Sequence, residues 1–288
     1  SRSIAWNWAA TVSAFLLVFL LAPFIVARLG TVAYGAWAVL GSLTAFMTLL
    51  DLGMRGAVTR FVARYHAAGD HETASATVSA TLWLRQWLGV VVIAVSLVVA
   101  ASLHRFLALE PSLLVEARWA LVLNALGVVV TLVGGVFGGV VAALNRYDTI
   151  SGAAIIQTAI RAIGTVLLLR AGYSLIGLAL LEVTAAVVAN AFQIFRCFQF
   201  YPELHLSFRK PRWIALKEVA GYSGYLVLFQ AFGYLIAYSP SLVVGATISA
   251  GAVALYAIAN SLAEGVRQIL ATITPVFMPL ASRLQVEG

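Results

Sequence analysis

The sequence predicts an all-α polytopic membrane protein, from its composition and from the way its apolar residues are grouped. Of 288 residues, 62% are hydrophobic and 10% charged, and the mean hydropathy is +0.98, a balance outside the range of ordinary soluble domains. The apolar residues gather into about eight runs, each near the ~20 residues that a helix needs to cross about 30 Å of hydrocarbon. In lipid a helix satisfies its backbone within one segment, and these runs are too long and too uniformly apolar for barrel strands. The formal charge of +7 therefore reports loop topology; nucleic acid is not an expected partner of so apolar a chain.

The eight spans are placed at about 8–27, 34–62, 78–102, 118–144, 149–169, 173–199, 222–246 and 250–282. The first run leads into a helical hairpin and not into a small-residue cleavage site, so it is read as a span and not as a signal peptide. Pro23 is expected to kink it near its outer end. Turns are predicted at Leu29-Gly30-Thr31, at Asn145-Arg146-Tyr147-Asp148 and at Arg170-Ala171-Gly172-Tyr173-Ser174. Pro111 is suited to open a helix after Glu110. The segment from Arg196 to Lys217, with Arg209, Lys210 and Arg212 against Glu203 alone, is the most basic in the chain.

Orientation follows from Lys and Arg in alternate loops. The even connections hold Arg60, Arg64, Arg146 and the basic segment, and the odd ones hold Arg28, Arg105, Arg118 and Arg170. That excess places the even connections and the N-terminus in the cytoplasm, in a cytoplasmic (inner) membrane. Trp6, Trp8, Trp83, Trp87, Trp119 and Trp213 lie near predicted span ends, where interfacial anchors belong.

Overlaying the chain on itself without a gap sets Ala27–Arg64 on Ala246–Arg283. Ala33, Ala38, Ser42 and Leu43 meet Ala252, Ala257, Ser261 and Leu262, and Trp37 meets Tyr256. Transporters are commonly built from such repeats. The expected organisation is a six-helix lobe over 1–199, a basic cytoplasmic linker over 200–220, and the first two helices of a related second lobe over 221–288. The chain would then be a fragment of a longer protein.

Charges inside predicted spans are the functional candidates, because an ion at the bilayer centre costs about 3 kcal/mol or more. Arg161 and Glu182 each lie about ten residues from the Gly172 turn, a depth of about 15 Å, so they are expected to meet. Gln157, Thr158 and Thr165 share the face of Arg161, and Asn190 and Gln193 are expected to continue the polar side of Glu182. Two readings stand: a polar stripe lining a substrate pathway, or a buried structural ion pair. Asp51 and Arg55, four apart, are expected to neutralise one another or to join that pathway, as are Glu264 and Arg267 on the last span. Asn7, Asn124, Gln230 and Asn260 are read as interhelical hydrogen-bonding groups. At the cytoplasmic mouth Arg60, Arg64, Arg146 and Arg196 exceed the nearby acids and suit bidentate contact with phosphate; they serve equally well as orientation determinants.

Nothing in the sequence points to an enzyme. His66, His71, His104 and His205 have no ligand spacing, there is no phosphate loop, and no nucleophile stands beside a base, so no catalytic residue, metal site or cofactor is assigned. Cys197 is the only cysteine, which excludes an intrachain disulfide, and it reads as a small apolar filler.

The stretches Pro23-Phe24-Ile25-Val26-Ala27-Arg28-Leu29-Gly30, Tyr34-Gly35-Ala36-Trp37 and Leu50-Asp51-Leu52-Gly53-Met54 resemble the opening of the polysaccharide biosynthesis proteins. These are oligosaccharide flippases of the multidrug/oligosaccharidyl-lipid/polysaccharide exporter superfamily. Val136-Phe137-Gly138-Gly139, Leu144-Asn145-Arg146-Tyr147-Asp148 and the Gly164 to Gly172 hairpin extend the resemblance over nearly the whole chain. It implies two six-helix lobes around a cavity, and alternating access that carries a polyprenyl-pyrophosphate-linked glycan outward. On that basis the mouth arginines would capture the pyrophosphate. The implied partners are the lipid-linked glycan, the bilayer, a coupling ion, and a glycan polymerase or glycosyltransferase. Rival readings are a cation-coupled multidrug exporter of the same superfamily, against which the first span's lack of a carboxylate counts, and a non-transporting scaffold for glycan synthesis.

Overall fold

The computed structural model describes residues 21–51, 53–207, 231–264 and 267. Expectations that fall on Trp6, Asn7, Trp8, Trp213, Gln230, most of the first span, most of the basic linker and the end of the last span lie outside these residues. The described chain is helical throughout, with no strand. Helix α1 occupies 21–29, followed by α2 (Thr31–Thr48), α3 (Met54–Ala67), α4 (His71–Ser102), α5 (Pro111–Ala143), α6 (Tyr147–Arg170) and α7 (Leu175–Phe200). Helices α8 (Ala231–Thr247) and α9 (250–264) complete it. Five segments among the described residues are long and apolar enough to cross a membrane, one of them the joined α2–α3 pair. The chain is a multi-pass membrane protein.

The punctuation follows local chemistry. Gly30 and Gly172 take positive φ at the predicted turns, and Asn145 does so at φ 58°. Pro111 is the first residue of α5, where its missing N–H costs nothing. Helix α4 starts seven residues before the predicted span because Asp70 caps it, its carboxylate accepting from the Thr73 N–H at 2.9 Å. The histidines thought to be isolated are partly gathered at this end. His66 and His71 pack on Tyr201, with His71 Nδ1 2.8 Å from the Tyr201 hydroxyl. Burial, then the charges of Glu203 and Asp70, push that phenol above its ordinary pKa. Beyond it the chain runs back along α4, the N–H groups of His205 and Ser207 donating to the hydroxyls of Ser75 and Ser79.

One element departs from expectation. The second span, predicted as one helix over 34–62, is broken: α2 ends at Thr48, Leu49–Asp51 form a 3-10 turn, and Gly53 at φ 64° starts α3. A left-handed residue cannot continue a right-handed helix, and glycine adopts it without Cβ strain. Thr48 adds to the break by turning its hydroxyl onto the Ala45 carbonyl at 2.7 Å.

Helix α5 is the centre of the bundle, packing on α7, α4, α3, α2 and α6, whereas α6 rests mainly on α7. The core is divided in two along its length. One apolar cluster joins α2, α4, α5 and α7 through Val39, Leu40, Val92, Leu121, Leu132 and Ala179. The other joins α3, α4, α5 and α7 through Val58, Val78, Val136, Val140, Cys197 and Tyr201. Between membrane helices close approach replaces the hydrophobic drive, so small residues mark the tightest contacts. At Gly35 a Cβ would lie 1.6 Å from the carbonyl oxygen of Ala250 and 3.3 Å from the amide nitrogen of Ala254, which binds α9 directly against α2.

Gly35→Ala is therefore expected to push α9 off α2 at a cost of about 1–3 kcal/mol. Gly41→Ala, where a Cβ meets nothing within 4 Å, is expected to be neutral or stabilising by up to about 1 kcal/mol. Melting of the two purified variants in detergent, compared with the parent, checks the pair.

Candidate functional site

A polar layer separates the two apolar clusters. On α4 the residue between Leu82 and Val92 that matters is Arg85, the largest side chain with no solvent exposure. Its Nη2 donates to Asp51 Oδ1 and its Nη1 to the backbone carbonyl of Leu132, both in close contact. Asp51 comes from the 3-10 turn of the broken span and keeps 36% of its side chain exposed. The charge thus enters from α4, its counter-charge from the break, and a third partner from α5. Arg85 Nε has no partner among the described residues.

The glycines of α5 make room for this layer. A Cβ at Gly135 would lie 2.7 Å from Arg85 Nη1, and one at Gly134 would lie 1.9 Å from the Asn190 amide oxygen. A Cβ at Gly138 would lie 2.5 Å from the Gln193 amide oxygen and 3.1 Å from Arg55 Nη2. Gln193 Oε1 has no hydrogen-bond partner here, and Asn190 donates to the Ala186 carbonyl at 2.8 Å. Among the described residues two arginines, Arg55 and Arg85, stand against one carboxylate, Asp51. The layer therefore carries an excess positive charge beside half-exposed Asp51, where irregular backbone reaches the bundle interior. Broken helices in membranes are tolerated where protein or a cavity surrounds them, and they commonly frame substrate sites.

The sequence-predicted residues fall into separate groups. Arg161 and Glu182 do meet, at 2.6 Å, with side chains 48% and 31% exposed on the α6–α7 seam. Gln157 is half-buried on the same helix. The expected continuation along α7 does not form, because Asn190 and Gln193 turn toward the α5 glycines while Glu182 turns toward α6. Asp51 and Arg55 do not neutralise one another: the i,i+4 relation needs a continuous helix, and Gly53 interrupts it, leaving Asp51 to Arg85. Glu264 and Arg267 pair at 3.0 Å. Asn124 is buried on α5 with its amide oxygen unpartnered, so the interhelical bond expected of it is not seen among the described residues.

The four mouth arginines divide into two pairs. Arg60 and Arg64 are exposed on α3, Arg64 over the Tyr65 ring. Arg146 and Arg196 both lie over the Phe200 ring, at 3.7 and 4.4 Å. The Arg146 fork grips both oxygens of Asp148, at 3.0 and 3.1 Å, and holds that carboxyl below its usual pKa. Trp83 and Trp87 pack edge to face within the long α4 and not at its end, while Trp119 is exposed near the start of α5. Among the described residues no three of His, Cys, Asp and Glu are placed to hold a metal.

A family model described as "Polysaccharide biosynthesis protein" matches residues 1–285. The chain belongs to the polysaccharide biosynthesis protein family. Among curated proteins none matches it. Solved structures that it resembles include an inward-facing multidrug resistance MATE family transporter of the MOP superfamily, at 17% identity and TM-score 0.68, covering 97% of this chain and 67% of that one. An outward-facing transporter of that description matches at 18% identity and TM-score 0.64, over 93% of this chain and 66% of its own. A MOP superfamily transporter from Pyrococcus furiosus, described as having a binding pocket of reversed polarity, matches at 16% and TM-score 0.62, over 96% and 69%. At these identities the likeness is one of fold, and this polysaccharide biosynthesis protein spans about two thirds of the length of those chains.

In this family member Arg85 is the site residue that sequence reasoning missed. A lone arginine in Leu84-Arg85-Gln86, inside a predicted span with no acid three or four residues away, was the available signal. Asp51→Leu is expected to cost about 3–5 kcal/mol by stranding a fully buried cation. Arg85→Met in that background is expected to recover most of it. A double-mutant cycle on thermal melting checks the coupling; additive losses would mean that the two groups are independent.

Proposed function

We propose that the protein is a flippase for a polyprenyl-pyrophosphate-linked oligosaccharide, acting by alternating access in the cytoplasmic membrane with its N-terminus in the cytoplasm. The observation that carries this reading is the polar layer at the broken span, where Arg55 and Arg85 outnumber Asp51 between two apolar clusters. A surplus positive charge in the interior suits an anionic pyrophosphate, which arginine engages through paired N–H donors. Arg85 is sealed and acts by fixing Asp51. Arg55, half-buried next to it, is the group placed to meet the anion.

In this mechanism Arg60 and Arg64 on α3 collect the pyrophosphate at the cytoplasmic mouth, with Arg146 and Arg196 set apart around Phe200. The half-exposed Arg161–Glu182 pair, with Gln157, offers hydroxyl partners along the route of the glycan, and the polyprenyl tail stays in lipid. A two-lobe organisation is supported by the α2–α9 crossing, where Gly35 lies against Ala250 and, one turn on, Ala254, the position that the internal overlay pairs with it. An ion gradient or downstream consumption of the lipid supplies the direction.

The fold shared with multidrug transporters favours one second reading, a cation-coupled multidrug exporter. Reconstituted proteoliposomes separate the two. Movement of a labelled polyprenyl-pyrophosphate glycan to the far leaflet supports the flippase; movement of a cationic dye alone overturns it. Arg161→Ala is expected to abolish glycan translocation while the melting temperature stays close to that of the parent. Unchanged translocation would remove Arg161 from the route.

A further inference from the structure

The first turn of chain before the helix break is joined to α8 by aromatic side chains. Tyr234 and Tyr238, four apart on α8, have ring centroids 5.3 Å apart at 40°, and Phe46 of α2 meets Tyr238 edge to face at 6.3 Å. The Thr48 hydroxyl lies 3.2 Å from the Tyr234 hydroxyl, which fixes the group to the end of α2. All three rings are half-buried, so each keeps part of its surface open. The neighbouring positions Phe232, Leu235 and Ile236 are 65%, 50% and 71% exposed, which places the outward, lipid-contacting side of α8 away from the tyrosines. Glu264 of α9 lies within electrostatic reach of the Tyr238 hydroxyl and is already paired with Arg267 at 3.0 Å.

We propose that Tyr234, Tyr238 and Phe46 form a stacking platform for a pyranose ring of the translocated glycan, with Glu264 and Arg267 bonding that ring's hydroxyls; the proposal rests on the flippase reading. The C–H face of a sugar is drawn to the negative face of an aromatic ring, while its rim of hydroxyls needs acceptors and donors. Here both kinds of partner are present together. A polyprenyl tail would cover the phenols, Thr48 and the Glu264–Arg267 pair with hydrocarbon, removing water from them and supplying no hydrogen-bonding group in its place, which is costly. A cationic drug would find Glu264 already neutralised by Arg267.

Position ties the platform to the charged layer. Thr48 precedes Asp51 by three residues of a 3-10 turn, about 6 Å along the chain at a rise of about 2.0 Å per residue. The platform therefore adjoins the turn that carries Asp51.

The test measures binding of two lipids to the full-length protein in nanodiscs: polyprenyl pyrophosphate alone, and the same lipid carrying its glycan. The parent is expected to bind the glycan-bearing lipid more tightly. Tyr238→Leu and Glu264→Gln are each expected to weaken it about tenfold, with the bare lipid unchanged, and Tyr238→Phe is expected to keep parental binding because the stacking face remains. Glu264→Gln preserves side-chain shape and keeps the test informative if Tyr238→Leu fails to fold. Variants that bind the glycan-bearing lipid as the parent does overturn the platform. Variants that lose both lipids equally show a structural role and also overturn it. A parent that binds neither lipid overturns the flippase reading itself, and the platform with it.

Discussion

The guanidinium of Arg85 is buried at the middle of α4, and taking such an ion out of water costs several kcal/mol, which a counter-charge and hydrogen bonds must offset. Its partners are drawn from two other helices: the Asp51 carboxylate from the break in the second span and the Leu132 carbonyl from α5. That requirement explains features which otherwise look unrelated. Glycine at 135 leaves room for the guanidinium, since a Cβ there would lie 2.7 Å from Nη1. The second span must bend where it does so that Asp51 is presented to α4 and not to Arg55 four residues on.

Once the span is broken, its halves belong to different packing groups. Helix α2 sits with the cluster around Leu121 and is pressed on α9, whereas α3 sits with the cluster around Val136 and is tied to α5 by the Thr59 hydroxyl on the Gly139 carbonyl at 3.1 Å. A short 3-10 turn and one left-handed glycine connect them. Any rotation of α2 against α3 moves Asp51 relative to Arg85, so the pair couples the geometry of the turn to the electrostatics of the layer. The positive charge of that layer is less offset whenever Asp51 withdraws, which links the shape of this span to the charge it presents.

Much of this was legible in the sequence, for identifiable reasons. Span positions, the Gly30, Asn145 and Gly172 turns and the opening of α5 at Pro111 are local properties of composition and backbone chemistry. The Arg161–Glu182 contact was legible because a tight turn fixes the register of the two helices it joins. The Asp51–Arg85 contact was not, because its members stand on helices whose relative register no short turn sets. The break itself was hidden for a related reason: Leu49, Leu50 and Leu52 are as apolar as the rest of the span, and a single glycine inside a membrane helix is ordinarily tolerated. The Tyr234 cluster escaped notice because its partner Thr48 lies 186 residues away.

The crossing of α2 and α9 bears on how the chain is organised. When two units are related by a two-fold axis, elements that meet on that axis touch at equivalent positions, because the operation sends each contact onto itself. A chance encounter between two apolar helices has no reason to obey that condition. Here the tightest approach is of Gly35 to the carbonyl oxygen of Ala250, 1.6 Å from where a Cβ would be, with the amide nitrogen of Ala254 at 3.3 Å; the gapless overlay pairs Gly35 with Ala254, one turn along from that closest contact. The overlay alone rests on small residues that any pair of membrane helices shares, and the crossing alone is one close contact. Together they are compatible with a repeat, since the helices cross close to the register taken from sequence. A six-span repeat keeps its units in the same orientation across the bilayer, so such an axis runs along the membrane normal.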